Sequence, residues 1–311
     1  MKRLEGLLVP ITTPFDAATG EVAPVLLRDN ARAMLDAGVN GIVAGGSTGE
    51  AALLSEEEYR QILAWLRDLV PQDRWLIAGA GRESTRAAIA ACRTAGDEGA
   101  DAVLVRAPSY YGMTLSPGAL TEHFRRIADA SPVPVLLYNI PKYTKLTIPE
   151  ATFAALEDHP NMLGAKDSSG DLKQFAAYRE AAPKWTMLVG SGFRYYAALE
   201  LGAAGGILAI ADFAFPQALR LRDAFAHGDR TTAGAIQETL GPLHQQIVQA
   251  LGPAGIKTAM DLVGLAGGPV RPPLGDLGPK DREQVAQALT AAGVGRVRAG
   301  PAAAAGALAN R

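Results

Sequence analysis

Cysteine is almost absent from this chain. Cys92 is the only one in 311 residues, which excludes an internal disulfide and any cysteine-ligated metal or iron–sulfur centre. That usage suits a reducing compartment, and a cytoplasmic location is expected. Histidine is scarce too: His123, His159, His227 and His244 are scattered along the chain, with none of the spacings of metal ligands, so no metal is expected. Neither sign of charge predominates, with 30 basic against 32 acidic side chains and a formal net charge of -2. No basic stripe appears, and a nucleic-acid partner is not expected. No apolar run reaches the roughly 18 residues a membrane span needs. The opening MKRLEGLLVPITTPF is broken by Glu5, Gly6 and Pro10 and does not read as a signal peptide. There is no P-loop, no dinucleotide fingerprint and no nucleophile elbow, so no cofactor is expected.

Apolar residues, by contrast, are plentiful. They make up 48% of the chain against 20% charged, a balance that supports a large core and excludes global disorder. Eight short, almost continuous apolar runs recur: 7–12, 41–46, 75–80, 102–107, 134–140, 162–167, 186–191 and 206–211. Runs without polar alternation are what strands covered on both faces require. Between them lie helical patterns at 24–37, 55–70, 84–99, 116–130, 148–157, 171–182, 194–202 and 216–227. Ser55-Glu56-Glu57-Glu58 forms a capping box, and Ser116-Pro117 places proline at a first helical position. Strict alternation predicts an α/β fold, a (β/α)8 TIM barrel with a C-terminal helical appendage, over a doubly wound open sheet. The expected division is a catalytic barrel over 1–228, helices over 229–294 (at 229–251, 253–265 and 279–293), and a loose tail over 295–311.

A barrel of this kind keeps its chemistry where the strands end. The residues to read there are Gly45 to Glu50, Ser109 to Gly112, Tyr138-Asn139, Lys166 to Gly170, and Gly190 to Gly192. The chain has eight lysines against 22 arginines, and Lys166 sits among small and apolar neighbours in LGAKDSS. A poorly solvated ammonium loses its proton more readily, and the free amine can attack a ketone to form a Schiff base. The same lysine also fits a strand terminus paired to Asp167 and facing water. Tyr138 ends the neighbouring strand and either passes protons beside such an amine or is a core tyrosine. Tyr110 and Tyr111 either extend the relay or pack at an interface. Ser47 and Thr48, in a glycine-rich turn with Gly46, offer hydroxyls and backbone N–H groups to a carboxylate.

GGSTGE (45–50), SYYG (109–112), YNIP (138–141), GAKDSSGD (164–171) and GGILAIA (205–211) stand in the order and spacing of the dihydrodipicolinate synthase / N-acetylneuraminate lyase family. The chain resembles that family over roughly residues 4–294. The resemblance implies a class I, Schiff-base lyase acting on pyruvate or another 2-oxo acid, usually a homotetramer. It implies Lys166 as the Schiff-base lysine, Tyr138 as proton shuttle, Ser47 as relay hydroxyl and Thr48 as carboxylate binder. Tyr111 matches a tyrosine that the synthases contribute across a subunit interface, and Ile210 a position whose backbone carbonyl lines the pocket. Gly46, Ser168 and Gly190 complete the expected substrate contacts.

One position departs from the synthases. Two residues after YNIP they carry an arginine that holds the carboxylate of aspartate semialdehyde, and here Tyr143 stands there, with Lys142 and Arg106 as possible substitutes. IAGAGREST (77–85), PSYY, KDSSGD and GGPVRPPL (267–274) are more similar to the 4-hydroxy-2-oxoglutarate aldolases, which give pyruvate and glyoxylate. That aldolase activity is the expectation. The alternatives are the synthase itself, a 2-keto-3-deoxy sugar-acid aldolase or dehydratase, and a non-catalytic 2-oxo-acid binding protein.

Overall fold

The computed structural model describes residues 2–297, so the tail expected over 295–311 lies, from residue 298 on, outside the described residues. Eight strands close into a parallel barrel: β1 (Gly6–Val9), β2 (Gly41–Ala44), β3 (Trp75–Gly79), β4 (Ala102–Arg106), β5 (Val135–Asn139), β6 (Met162–Asp167), β7 (Thr186–Val189) and β8 (Gly205–Ile207). β8 pairs back with β1, Leu7 opposite Gly206, so the sheet has no open edge.

The period of two along each strand divides the apolar residues between two cores. Leu8, Val43, Ile77, Leu104, Leu136, Leu188 and Ile207 fill the barrel interior. Their chain neighbours Leu7, Val9, Ile42, Ala78, Val103 and Leu137 point outward and pack beneath the helices. Both faces are therefore dry, which is why the strands read as unbroken apolar runs.

The helix starts follow the local chemistry. The Glu58 N–H donates to the Ser55 hydroxyl at 3.1 Å, and the Ser55 N–H donates to the Glu58 carboxylate at 2.8 Å, closing the capping box of Glu56–Arg67. Ser116 caps Pro117–Ala130, with Pro117 at a position where its missing N–H costs nothing.

Several boundaries differ from the expected ones. β1 stops at Val9 rather than reaching residue 12, since Pro10 has no N–H for the ladder. β8 stops at Ile207, and the helix expected from 216 already begins as Ala211–Ala226, with a kink at Ala214 ahead of Pro216. The helix expected at 148–157 is Glu150–Leu156, preceded by the single turn Pro141–Thr144. The break expected between 251 and 253 is a kink, with Gly252 at φ 60 and Pro253 behind it, inside a segment running from Arg230–Leu243 through π-helical His244–Gln249 to Ala250–Val263. This segment crosses the mouth of the barrel, and Pro279–Ala291 follows it. Among the described residues no helix is long and apolar enough to cross a membrane.

Candidate active site

β5 and β6 run side by side with Tyr138 opposite Lys166, so both side chains enter the barrel interior at the same level. The Lys166 Nζ donates to the Tyr138 hydroxyl at 3.2 Å and lies 4.3 Å from the centre of its ring. Lys166 is 4% exposed and Tyr138 6%. The pair lines a cavity of about 330 Å³ at the C-terminal end of the strands, which Ser47, Thr48, Ser168 and Gly190 also line. An amine held there, largely out of water, has the setting that attack on a carbonyl needs.

Asp167 is not the partner of Lys166. Strand alternation sends it to the other face, where it accepts from Asn139 Nδ2 at 2.7 Å, the Ser169 hydroxyl at 2.7 Å and the Ser169 N–H at 3.1 Å. The Asn139 side-chain oxygen, Oδ1, in turn accepts the Ile148 N–H. Asp167 thus braces the strand end from outside while Lys166 turns inward. Its burial raises the carboxyl above the ordinary range, against these hydrogen bonds.

Gly190 fits closely behind the lysine. A Cβ on Gly190 would stand 1.8 Å from the Ser168 hydroxyl oxygen and 2.8 Å from Lys166 Cε. Only a residue without a side chain leaves the lysine where it is.

The Ser47–Thr48 turn is held from below. The Gly49 and Ala51 N–H groups donate to the Gly46 carbonyl, whereas the N–H and hydroxyl groups of Ser47 and Thr48 make no hydrogen bond among the described residues. They are free to receive a carboxylate. Glu50, in the left-handed region at φ 56, sends its carboxylate inward to Lys257 at 2.5 Å. The same carboxylate accepts the Arg271 N–H at 2.8 Å, and the Arg271 guanidinium forks onto Glu58. An almost fully buried ion pair thus ties the turn to the C-terminal helices.

Not every expected residue joins the cluster. Tyr111 is 70% exposed, edge-on to Tyr110, and stands on neither wall described here. Glu83 sets this loop by accepting the N–H groups of Ser109 and Tyr110, which leaves both rings outside. A single chain therefore does not bring Tyr111 to Lys166. Ile210 is fully buried, and its carbonyl accepts the N–H groups of Phe213 and Ala214 at the start of a helix. The wall is formed instead by Ala209. Gly46 lines a second, adjoining cavity of about 310 Å³, which shares Ser47, Tyr138 and Tyr143 with the first. Arg106 belongs to that second cavity and is paired to Glu83 at 2.9 Å.

Other wall residues were not expected from the sequence. Arg194, from the turn after β7, and His244, Gln245 and Gln249, from the π-helical stretch, line the same cavity together with Lys142 and Tyr143. Burial and the nearby charge of Lys142 push the His244 imidazole down to about 4, so it is neutral at pH 7. Burial raises the Tyr143 phenol, reinforced by Tyr138. The Arg194 turn could have been found by reading the loop after β7 two residues further. The helical residues carry no local signal. Beneath the site, fully buried Asp212 accepts the Thr12 N–H at 3.1 Å and leaves its other oxygen without a partner. Burial pushes its carboxyl well above the usual range, with the Thr12 N–H and the charge of Lys166 opposing.

Comparison with known proteins gives one consistent result. The profile of the Dihydrodipicolinate synthetase family matches residues 3–292. An uncharacterized DapA-like lyase of Halobacterium salinarum is 36% identical over 279 residues, covering 90% of this chain and 91% of that protein. The 4-hydroxy-tetrahydrodipicolinate synthase of Methanopyrus kandleri is 35% identical over 274 residues, 88% of this chain and 91% of that one. Among solved structures, the dihydrodipicolinate synthase of Acinetobacter baumannii complexed with pyruvate superposes with a TM-score of 0.89 at 31% identity, over 94% of this chain and 100% of that one.

Proposed function

Because the chain belongs to the dihydrodipicolinate synthetase family, and so is a carbon–carbon lyase that forms a lysine Schiff base with a 2-oxo acid, we propose that Lys166 is that lysine and Tyr138 its proton shuttle. The observation that carries the assignment is the 3.2 Å contact between the two inside a cavity at the strand ends. In this reading the amine adds to the 2-keto carbon of pyruvate, water leaves, and a protonated imine forms. Loss of a C3 proton gives an enamine, whose carbon attacks an aldehyde, and Tyr138 delivers the proton that the new alkoxide takes up. Hydrolysis restores the amine and frees the product, and cleavage is the same sequence reversed. Ser47, Thr48 and their backbone N–H groups hold the 1-carboxylate, and Ser168 contacts the distal end of the substrate. The barrel of residues 1–228 carries the chemistry and the helices of 229–294 close its mouth. Tyr111 reaches the relay of a neighbouring copy in a homotetramer.

The relatives from Methanopyrus kandleri and Methanoculleus marisnigri are named 4-hydroxy-tetrahydrodipicolinate synthases, and this supports condensation of pyruvate with aspartate semialdehyde better than the glyoxylate-forming aldolase expected from sequence motifs. One observation favours the aldolase as a second reading. Tyr143 lines the cavity with a neutral phenol where the synthases are expected to hold a carboxylate with arginine. The test is turnover in both directions: pyruvate with aspartate semialdehyde, against cleavage of 4-hydroxy-2-oxoglutarate. The synthase reading requires the first to have the higher kcat/KM by at least about tenfold, a difference of about 1.4 kcal/mol in transition-state binding. The reverse order makes the chain an aldolase, and turnover of neither removes both readings.

A further inference from the structure

We propose that Arg194 is the specificity-determining residue for the second reactant: its guanidinium takes a carboxylate of the incoming aldehyde, so the site selects acid-bearing aldehydes over neutral polyhydroxy ones. The inference rests on the Schiff-base reading above and names the substrate class of that same site.

The wall of the cavity is cationic. The cavity that holds Lys166 is lined by three cationic side chains, Lys142, Lys166 and Arg194, and by no aspartate or glutamate. Once Lys166 forms an imine and the Ser47–Thr48 turn holds the first carboxylate, the two other cations still face the cavity. A neutral polyol would leave them without a counter-charge on the cavity wall, whereas a second carboxylate balances them.

Of the two cations, Arg194 is the one placed to grip a carboxylate at two points. The Lys142 Nζ already donates to the Gln249 carbonyl at 2.7 Å. Arg194 is anchored but not consumed. Its Nε donates to the Gly170 carbonyl at 3.2 Å and its plane lies over the Phe193 ring, 4.6 Å from the centroid. Among the described residues its two terminal nitrogens have no hydrogen-bond acceptor, and no carboxylate pairs with it. A guanidinium fixed at one nitrogen and by its face presents the remaining fork in one direction, as two-point carboxylate binding needs.

The other candidates on the wall supply no charge. His244 is neutral at pH 7, and Tyr143 offers an uncharged phenol. Arg106 faces the second cavity and is spent on Glu83. Placement agrees as well. Gly170 follows β6, which carries Lys166, and Arg194 follows β7 next to it, so the fork stands one strand along from the nucleophile.

The experiment compares aldehydes at saturating pyruvate in the wild type, Arg194→Gln and Arg194→Lys. The acid-bearing probes are glyoxylate and aspartate semialdehyde, and the neutral ones are glycolaldehyde and glyceraldehyde. Arg194→Gln is expected to lower the ratio of kcat/KM for acid-bearing over neutral aldehydes by about 10- to 100-fold, the worth of a charge-assisted hydrogen bond to a carboxylate. Most of the loss should lie in KM, and Arg194→Lys should fall between. Borohydride reduction with pyruvate is run on every variant, and a Lys166 adduct in Arg194→Gln shows that it folds and forms the imine. An adduct with an unchanged ratio overturns this inference alone. No adduct in the wild type overturns the Schiff-base reading and this inference with it.

Discussion

Replacing Gly190 by alanine adds one methyl group behind the proposed nucleophile. The new Cβ would stand 1.8 Å from the Ser168 hydroxyl oxygen and 2.8 Å from Lys166 Cε. Carbon atoms in contact settle at about 3.5–4.0 Å, so the lysine side chain must retreat by about 1 Å unless the strand end moves. Lys166 has little room to do so, with Tyr138 at 3.2 Å on its other side. A misplacement of 1 Å costs roughly 100-fold in rate, and overpacking of this kind costs about 1–3 kcal/mol in stability. Gly190→Ala is therefore expected to fold, to melt a few degrees lower, and to lose about 100-fold in kcat/KM with pyruvate. Adding Ser168→Gly removes the shorter clash but not the one with the lysine, so the double variant should regain stability before activity. Steady-state turnover, thermal denaturation and the fraction of Lys166 trapped by borohydride read the three quantities. Wild-type kcat/KM in Gly190→Ala would refute the reasoning, because the observed lysine position would then not be the working one.

Tyr138→Phe keeps the ring in the barrel interior and removes the hydroxyl that accepts from Lys166, so kcat should fall about 10²- to 10⁴-fold, the usual worth of a positioned acid–base group, with the melting temperature nearly unchanged. His123 and His244 are both held at about 4 by burial, so they stay neutral in the folded chain while the unfolded chain takes up their protons near 6.5. Their contribution is therefore present above pH 6.5 and lost as pH falls towards 4, by up to roughly 2–3 kcal/mol each. Urea midpoints between pH 7.5 and 4.5 should show the loss, and the His123→Gln/His244→Gln variant should flatten it; an equally steep profile in the variant would contradict the assignment. Lys257→Met strands Glu50 in the interior and should cost about 3–5 kcal/mol in urea denaturation, whereas adding Glu50→Gln should recover part of it. Equal losses in the single and double variants would mean that the ion pair is not coupled.

The barrel was legible because its strands are buried on both faces. Runs such as AVLVRA and PVLLYNI have no polar alternation, and the capping box at Ser55 and the proline at 117 marked where helices start. The ends of β1 and β8 were less legible, since an apolar run reads the same whether it continues as strand or turns into a buried helix, as at Leu208 to Ala211. Within the site, Lys166, Tyr138, Ser47, Thr48, Ser168 and Gly190 could be named because the rule that strand ends carry the chemistry is local in sequence. The part of the wall beyond the strand ends could not be read that way. His244, Gln245 and Gln249 reach it only because the C-terminal helices fold back over the mouth. The partnership of Glu50 with Lys257 likewise spans most of the chain, and neither residue signals the other. Tyr111 shows the converse limit: its motif was plain, yet the single chain leaves its ring outside the cavity.

The whole reading depends on Lys166 forming a covalent bond to a 2-oxo acid. Incubation with pyruvate and borohydride, followed by digestion and mass analysis, asks for that bond directly. The account predicts a reduced pyruvyl adduct on the peptide containing Lys166, absent without pyruvate and absent in Lys166→Arg. An active preparation that carries no adduct, or carries it on another lysine, would contradict it.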